Sequence, residues 1–137
     1  NVVGLIIKDD KILLVERADE HGHWQFPQGG VDKGENARQA FLREMKEELG
    51  TDAFVIMRYV PSFFRYTWPK INQLMQGYRG QRQDLFIAEF AGKYEDIRVD
   101  KDELVAYRWV SSKEVASVAH SVRKEQVAQA LSILSQR

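Results

Sequence analysis

The spacing of apolar and polar residues alternates along the chain between strand-like and helix-like segments. Runs rich in β-branched residues predict strands over 2–7 and 12–15, and the polar residues 8–11 between them predict a hairpin turn. Further strands are predicted over 24–26, 54–59, 83–90 and 106–110. The segments after the third and the last of these strands have helical spacing instead.

Two longer segments place apolar residues on one face of a helix. The first takes its start signals from residues 32–35 and runs to about Leu49, where Gly50 provides a stop. The second runs from about residue 121 to 134, and its inward stripe is predicted to be Val127, Ala130, Leu131 and Leu134. Strands that alternate with helices predict an α/β fold, an α/β/α sandwich with a mixed β-sheet between the helices.

Composition narrows the class of protein without identifying it. The chain has 137 residues, 44% hydrophobic and 29% charged, which fits one domain over 1–137. Its 20 basic and 20 acidic residues cancel, which argues against binding to nucleic acid through overall charge. It has no cysteine, which excludes a disulfide framework and a thiol nucleophile. No apolar run reaches the length of a membrane span and no signal peptide is present, so we expect a cytoplasmic protein without membrane contact.

The residues suited to chemistry are concentrated in GGVDKGENARQAFLREMKEELG, residues 29–50. Glu44, Glu47 and Glu48 are three or four positions apart or adjacent, so a helix brings their carboxylates together. Hard cations such as Mg²⁺ take oxygen ligands and bridge carboxylates to substrate phosphates. The upstream glycines let the backbone approach a metal or phosphate closely, because glycine has no Cβ. The alternative is a solvated acidic helix face, on which such charge runs are common.

This stretch closely resembles the Nudix box, in which glycine, five residues, glutamate and seven residues precede Arg-Glu-apolar-x-Glu-Glu-x-Gly-apolar. Only the last position departs from the pattern, where Thr51 replaces an apolar residue. The resemblance implies the Nudix-type sandwich and a hydrolase that uses Mg²⁺ or Mn²⁺. It assigns as metal ligands the carboxylates of Glu44, Glu47 and Glu48 and the backbone of Gly30. Glu47 and Glu48 are also assigned a catalytic role.

Further roles follow from the same resemblance. Gly29, Glu35 and Arg43 are expected to brace the loop against the helix, a task that suits the fork of a guanidinium. Related Nudix enzymes use a glutamate in the loop before a late strand as general base or extra metal ligand, and Glu103 occupies that loop. The alternative is that Glu103 is a surface carboxylate.

The histidines show no such pattern. His21, His23 and His120 have no metal-ligand spacing, so we interpret them as loop or surface residues without a catalytic role.

A narrower resemblance concerns segments outside the helix. WQFPQGG at 24–30, RYTWP at 65–69 and GQRQDLF at 80–86 are similar to segments of the dinucleoside polyphosphate hydrolases and bacterial RNA pyrophosphohydrolases. The resemblance implies a set of substrate-binding residues, namely Arg17, Gln28, Arg65, Tyr66, Arg82, Arg123 and Lys124. Two positions depart from that subgroup. Val122 stands where an aromatic residue opens the last helix, and Ala18 where a second arginine often follows the first.

These patterns predict a metal-dependent pyrophosphohydrolase that cleaves dinucleoside polyphosphates or the 5′-triphosphate end of RNA. Alternatives of the same family are nucleoside triphosphate and nucleotide-sugar diphosphatases. A Nudix-fold binding module without turnover is a further alternative, which the complete set of carboxylates disfavours. An RNA-binding domain that relies only on the basic, aromatic stretch 53–83 fits poorly with zero net charge.

Overall fold

The computed structural model describes residues 1–67 and 80–136, and within them a seven-stranded sheet forms the centre of the protein. The strands are β1 (Val2–Lys8), β2 (Lys11–Arg17), β3 (Trp24–Gln25), β4 (Gln28–Gly29), β5 (Phe54–Thr67), β6 (Gly80–Phe90) and β7 (Leu104–Ser111). The helices are α1 (Ala37–Leu49), α2 (Ser112–Val118) and α3 (Lys124–Ser135), with short 3₁₀ turns at Tyr94–Asp96 and Ser121–Arg123. None of the helices in the described part of the chain is long and apolar enough to cross a membrane.

The sheet is mixed because two of its central strands are parallel. The strand order is β3-β2-β1-β6-β5, with β4 also paired to β1 and β7 to β2. β1 and β6 run parallel, with Val3 opposite Leu85, whereas the other pairings are antiparallel. Gly29 of β4 lies opposite Val2 of β1. The glycine loop is therefore anchored directly to the sheet.

Helices cover both faces of this sheet. Successive residues of a strand point to opposite faces, and Val2 and Val3 of β1 accordingly belong to different hydrophobic clusters. Phe41 of α1 packs in the cluster on one face. Val115 of α2 and Val127 of α3 pack in the cluster on the other face. The predicted α/β/α sandwich with a mixed sheet is confirmed.

Local signals define both ends of α1. The Asn36 side chain accepts from the backbone N–H of Gln39 at 2.8 Å, and the Gln39 side chain accepts from the N–H of Asn36 at 3.0 Å. Gly50 ends the helix in the left-handed conformation, with φ of 76°. The predicted stop is confirmed, but the predicted start signals at 32–35 are wrong. The carboxylate of Glu35 instead accepts from the backbone N–H of Asp32 in its own loop and from Arg43 of α1.

β5 is longer than the predicted strand over 54–59. Its pairing with β6 shifts register around Ser62, which has φ of 52°, and then continues to Thr67. A bulge of this kind bends a strand without ending it. Pro61 and Ser62 therefore do not terminate β5, although both residues are typical of turns.

The last helix starts later and faces the core differently than predicted. A 3₁₀ turn precedes it, and α3 itself begins at Lys124. Its buried residues are Gln126, Val127, Ala130 and Ile133, whereas Leu131 and Leu134 pack only partly against the core. Gln126 takes an inward position because it donates to Gln83 Oε1 at 2.6 Å. Hydropathy assigns such a polar residue to solvent, which explains the error.

Candidate active site

Arg43 ties the box loop to α1. Its Nε donates to Glu35 Oε2 at 2.7 Å and its Nη2 to Glu35 Oε1 at 3.0 Å, which makes a bidentate pair. The same Nη2 donates to the carbonyl oxygen of Gly30 at 2.9 Å. The pair with Arg43, and then the backbone N–H of Asp32, hold the pKa of Glu35 below its usual range. These are the contacts that the predicted brace requires.

The other side of the Arg43 guanidinium faces the carboxylates of α1. Its Nη1 donates to Glu44 Oε1 at 3.0 Å and to Glu47 Oε2 at 3.1 Å. The side chain of Glu44 is only 15% exposed, whereas that of Glu47 is 58% exposed. One guanidinium therefore offsets part of the charge of two predicted ligands and keeps them on one side of the helix.

Glu44 packs directly against Gly29. A Cβ added to Gly29 would overlap the Glu44 carboxylate, so the glycine is what leaves space for that side chain. Burial raises the pKa of Glu44, and its hydrogen bond to Arg43 opposes the shift. At Gly30 a Cβ would meet no heavy atom nearer than 4.0 Å. Gly29 is thus needed for the close packing of Glu44, and the approach of the glycine loop to a metal or phosphate stays a prediction.

Glu48 is the carboxylate with the most unusual surroundings. Its Oε2 is buried and has no hydrogen-bond partner in the described part of the chain. Burial, and then the neighbouring carboxylates of Glu44 and Glu103, raise the pKa of Glu48 to about 8. The backbone of Gln28 opposes this rise, because it favours the charged form. An unpartnered buried carboxylate oxygen costs free energy unless a cation or a donor meets it.

The carboxylates around Glu48 have the chemistry that a divalent cation takes. The charges of Glu44 and Glu47 add to the rise in the pKa of Glu48, but the oxygens of these three glutamates are not gathered within 4.8 Å of one another. Carboxylate oxygens in this number are the ligands that hard divalent cations prefer. The Gly30 carbonyl, also predicted as a ligand, already accepts from Arg43. As a ligand it would use its second lone pair.

Glu48 lines a cleft of about 400 Å³ that also receives residues from distant parts of the chain. Glu103 lies on the same cleft, and its charge reaches Glu48. The loop that carries Glu103 is held because Ala18 N–H donates to the Glu103 carbonyl at 3.0 Å. This position favours the functional interpretation of Glu103 over the surface one, although the side chain is exposed.

Two arginines lie between this cleft and a neighbouring cavity of about 650 Å³. Arg17 and Arg123 border both spaces. Arg17 Nε donates to Asp19 Oδ1 at 2.7 Å, and a second contact makes that pair bidentate. With the Gln28 amide turned so that its oxygen faces Arg123, both Nη atoms of Arg123 lie 3.2 Å from that oxygen. We call Arg17, Arg123 and Gln28 the arginine side. We call Arg43, Glu35, Glu44, Glu47 and Glu48 the carboxylate side.

The other predicted substrate-binding residues separate into two groups. Lys124 lines the neighbouring cavity, next to the exposed Val122. Arg65 and Arg82 are cross-strand partners on β5 and β6, both exposed, and neither lines the cleft or the neighbouring cavity. The structure therefore does not bring these two together with the arginine side. The side chain of Tyr66, and residues 68–79 of the predicted basic, aromatic stretch, lie outside the described residues.

One histidine is placed differently from the prediction. His23 lies in a loop, as predicted, but it is only 2% exposed and is therefore not a surface residue. Its ring stacks on that of His120, with centroids 4.2 Å apart and planes 8° apart. Glu20 Oε2 lies 2.9 Å from His23 Nδ1, and Glu20 Oε1 lies 3.5 Å from His120 Nε2. Ligand atoms of the three residues lie within 4.8 Å of one another, close enough for a metal ion.

Spacing along the sequence gives no signal for this histidine pair. The pairing of β3 with β2 fixes Trp24, and the backbone N–H of His120 donates to the Trp24 carbonyl at 2.9 Å. Because this contact joins segments far apart in the chain, only the folded structure brings His23 and His120 together.

The mixed sheet, the glycine loop and the glutamates of α1 together define the class of protein. The NUDIX domain matches residues 1–131, and the chain belongs to the Nudix family.

Two of the relatives to which the chain is similar are RNA pyrophosphohydrolases. The chain is 36% identical over 131 residues to an RNA pyrophosphohydrolase of Campylobacter jejuni subsp. doylei, covering 90% of this chain and 84% of that protein. It is 34% identical over 122 residues to an RNA pyrophosphohydrolase of Nitratiruptor sp., covering 84% of this chain and 79% of that protein.

Solved structures share the fold at lower identity. The E. coli dihydroneopterin triphosphate pyrophosphohydrolase matches with a TM-score of 0.72 and 23% identity, covering 98% of this chain and 94% of that one. A binary complex of the C. elegans Ap4A hydrolase matches with a TM-score of 0.71 and 18% identity, covering 99% and 98%. At these identities the similarity shows the fold alone.

Proposed function

We propose that the chain is a metal-dependent pyrophosphohydrolase that cleaves the 5′-triphosphate end of RNA or dinucleoside polyphosphates. The observation that carries the proposal is Glu48, a half-buried carboxylate with an unpartnered oxygen on a cleft that Arg17 and Arg123 also line. One proposed ligand for a cation and two cations for a phosphate chain therefore share one space. The similarity to two RNA pyrophosphohydrolases supports the RNA end as the first substrate to test.

The carboxylate side holds the metal in this proposal. Glu44, Glu47 and Glu48, with the Gly30 carbonyl, are the proposed ligands of Mg²⁺ or Mn²⁺. When bound, such an ion neutralises charge on the phosphoryl oxygens and lowers the pKa of bound water. Arg43 keeps Glu44 and Glu47 on the same side of the helix. Its bond to the Gly30 carbonyl fixes the loop beside them.

Glu103 is the proposed general base. It lies on the same cleft as Glu48, in a loop that Ala18 holds to the end of β2. A base must come within hydrogen-bond reach of the attacking water. The exposed carboxylate of Glu103 can reach water in the cleft without displacing a core side chain. The proton that it accepts is then returned to solvent.

The arginine side binds the phosphates beyond the cleaved bond. Because Arg17 and Arg123 border both the cleft and the neighbouring cavity, a phosphate chain can run from one space into the other. Lys124 adds a cation at the neighbouring cavity, and Gln28 adds an amide at the cleft. Arg65 and Arg82 line neither the cleft nor the neighbouring cavity, so only an extended substrate could contact them. Contact of Tyr66 with substrate also stays a prediction, because its side chain lies outside the described residues.

A product assay tests the proposal. Triphosphorylated RNA, diadenosine tetraphosphate, deoxynucleoside triphosphates and ADP-ribose are incubated with the wild type and either Mg²⁺ or Mn²⁺. We expect metal-dependent release of pyrophosphate or phosphate from the RNA, or nucleotide from the dinucleoside. The release should be lost in Glu48→Gln and kept in Glu89→Gln, whose side chain is exposed on β6 and does not line the cleft.

The other substrates separate the alternatives. Faster cleavage of deoxynucleoside triphosphates or ADP-ribose would replace the proposed substrates with a nucleotide or nucleotide-sugar diphosphatase. No release from any of these substrates, with intact metal binding, would leave a binding module.

A further inference from the structure

We propose that His23 is a positioning residue that orients the Arg123 guanidinium over the junction between the cleft and the neighbouring cavity, with Glu20 and His120 fixing the ring. The proposal rests on the proposed function only in its assumption that Arg123 binds the polyphosphate.

Hydrogen bonds at both nitrogens of His23 define its state. Nδ1 lies 2.9 Å from the Glu20 carboxylate, which can only accept, so Nδ1 carries the proton. Nε2 accepts from Arg123 Nε at 3.1 Å. A neutral imidazole with its proton on Nδ1 satisfies both contacts. Burial lowers the pKa of His23, the Glu20 carboxylate opposes this, and Arg123, His120 and Arg17 add to the lowering.

His120 packs against one face of the His23 ring. Its ring lies parallel to that of His23 at 4.2 Å. Its Nδ1 accepts from the backbone N–H of Val122 at 3.1 Å, so its proton is on Nε2, on the side of Glu20. One carboxylate therefore orients two stacked rings. The first of these rings accepts from Arg123.

Arg123 also contacts Gln28, which lies beside the carboxylate side. Arg123 binds His23 through Nε, and its Nη atoms lie 3.2 Å from the Gln28 amide oxygen in the orientation described above. Gln28 and Glu48 line the same cleft. The position of the guanidinium is therefore fixed on one side by a buried ring and on the other by the residue that precedes the glycine pair.

The same atoms could be read as a metal site, but their geometry favours hydrogen bonding. A metal on His23 Nδ1 would move the ring proton to Nε2, which faces the Nε–H of Arg123. The two imidazole planes are also nearly parallel, so the lone pairs that lie in these planes do not converge on one point without rotation.

Substitutions at position 23 separate positioning from packing. His23→Leu removes the acceptor, whereas His23→Gln can place its amide oxygen near the position of Nε2. His21→Leu is the matched control, because His21 is exposed two positions away. For His23→Leu we expect KM for triphosphorylated RNA to rise about tenfold with little change in kcat, because a bond that orients a charged donor is lost. His23→Gln should restore most of the affinity.

The pH profile gives a second readout. Protonation of Nε2 turns the acceptor into a donor that faces Arg123, so KM of the wild type should rise as the pH falls below neutral. The profile of His23→Gln should be flatter. Glu20, His120, Arg17 and Arg123 face His23 and are unchanged in that comparison.

Measurements that do not need turnover keep the two proposals separate. Nitrogen-detected NMR should show the Nδ1–H tautomer of His23 and a slowly exchanging Nε–H of Arg123 that disappears in His23→Leu. Affinity for a non-hydrolysable triphosphorylated RNA analogue should fall in the same variant. If the wild type shows these signals and this affinity without hydrolysis, the proposed function fails and the role of His23 stands.

Three results would overturn the role of His23. One is an Nε2–H tautomer in the wild type. Another is equal RNA affinity in His23→Leu and His21→Leu, with both variants folded by circular dichroism. The third is tight zinc binding that is lost in both His23→Leu and His120→Leu, which would assign a metal site instead.

Discussion

The carboxylate side and the arginine side differ in how they are built. On the carboxylate side, Arg43 binds Glu35, eight residues away, and Gly30, thirteen residues away. On the arginine side, Arg123 binds His23, one hundred residues away. The first side is a compact unit of loop and helix, whereas the second exists only when distant segments meet. Damage to the first should therefore act through charge and metal binding, and damage to the second through substrate affinity.

The largest effect is expected at Glu48. Glu48→Gln should lower kcat by at least about 100-fold, because it removes a charge from the ligand set with little change in size. The same change should stabilise the metal-free protein at neutral pH by about 1 kcal/mol or more, because a carboxyl with a pKa of about 8 must take up a proton on folding and glutamine need not. Assays with Mg²⁺ and thermal unfolding without it measure the two effects. Near-normal turnover in this variant would remove Glu48 from the metal site.

Arg43→Ala should harm both activity and stability. The substitution leaves Glu35, Glu44 and Glu47 without their shared donor, and we expect a loss of about 1–3 kcal/mol in the free energy of unfolding. Turnover should also fall, because the loop and the ligands are no longer held together. Arg43→Lys should rescue only in part, since lysine cannot make the bidentate pair.

Urea unfolding and metal titration measure the effect of Arg43→Ala, with Arg38→Ala on the same helix as the control. Arg38 is exposed. An exposed ion pair contributes only about 0–1 kcal/mol. A stability loss for Arg43→Ala within that range, with normal turnover, would indicate a surface charge and not a brace.

Smaller effects should distinguish the cations of the arginine side from those on the sheet edge. Lys124→Gln should raise KM for triphosphorylated RNA about three- to tenfold with kcat little changed, because it removes one phosphate contact. Arg82→Gln should change KM less, since Arg82 does not line either space and lies 3.5 Å from Asp84. Steady-state kinetics at two salt concentrations test the pair. Equal losses in both variants would extend the substrate path to the sheet edge.

The smallest effect is a pH dependence of stability that belongs to the arginine side. The pKa of His23 in the folded protein is below its ordinary value of 6.5, so the unfolded chain binds this proton more readily. The contribution of neutral His23 is complete above pH 6.5 and declines as the pH falls towards the folded pKa. Thermal unfolding of the wild type and His23→Gln between pH 8 and pH 5 should therefore converge at the acid end. Parallel curves would mean that His23 does not titrate in this range.

The same difference in construction explains what the sequence could predict. The box residues are close in sequence, so helical spacing could predict that Glu44, Glu47 and Glu48 lie on neighbouring positions of one helix. The family that the box pattern indicated is confirmed by the NUDIX domain match over residues 1–131. His23 and Gln126 were missed because their polar partners, Arg123 and Gln83, come from distant segments. The extension of β5 was missed because a bulge can pass residues that usually end a strand.

The bounds of α1 bear on the order in which ligands bind. Glu47 and Glu48 lie in its last turn, which ends at Leu49, so they sit at the negative end of the helix dipole. Helix amino termini attract phosphate directly, but this helix presents the opposite pole and two carboxylates. A polyphosphate is repelled there until a cation has bound. We therefore expect affinity for substrate on this side to depend on metal loading, with the cation binding before the polyphosphate.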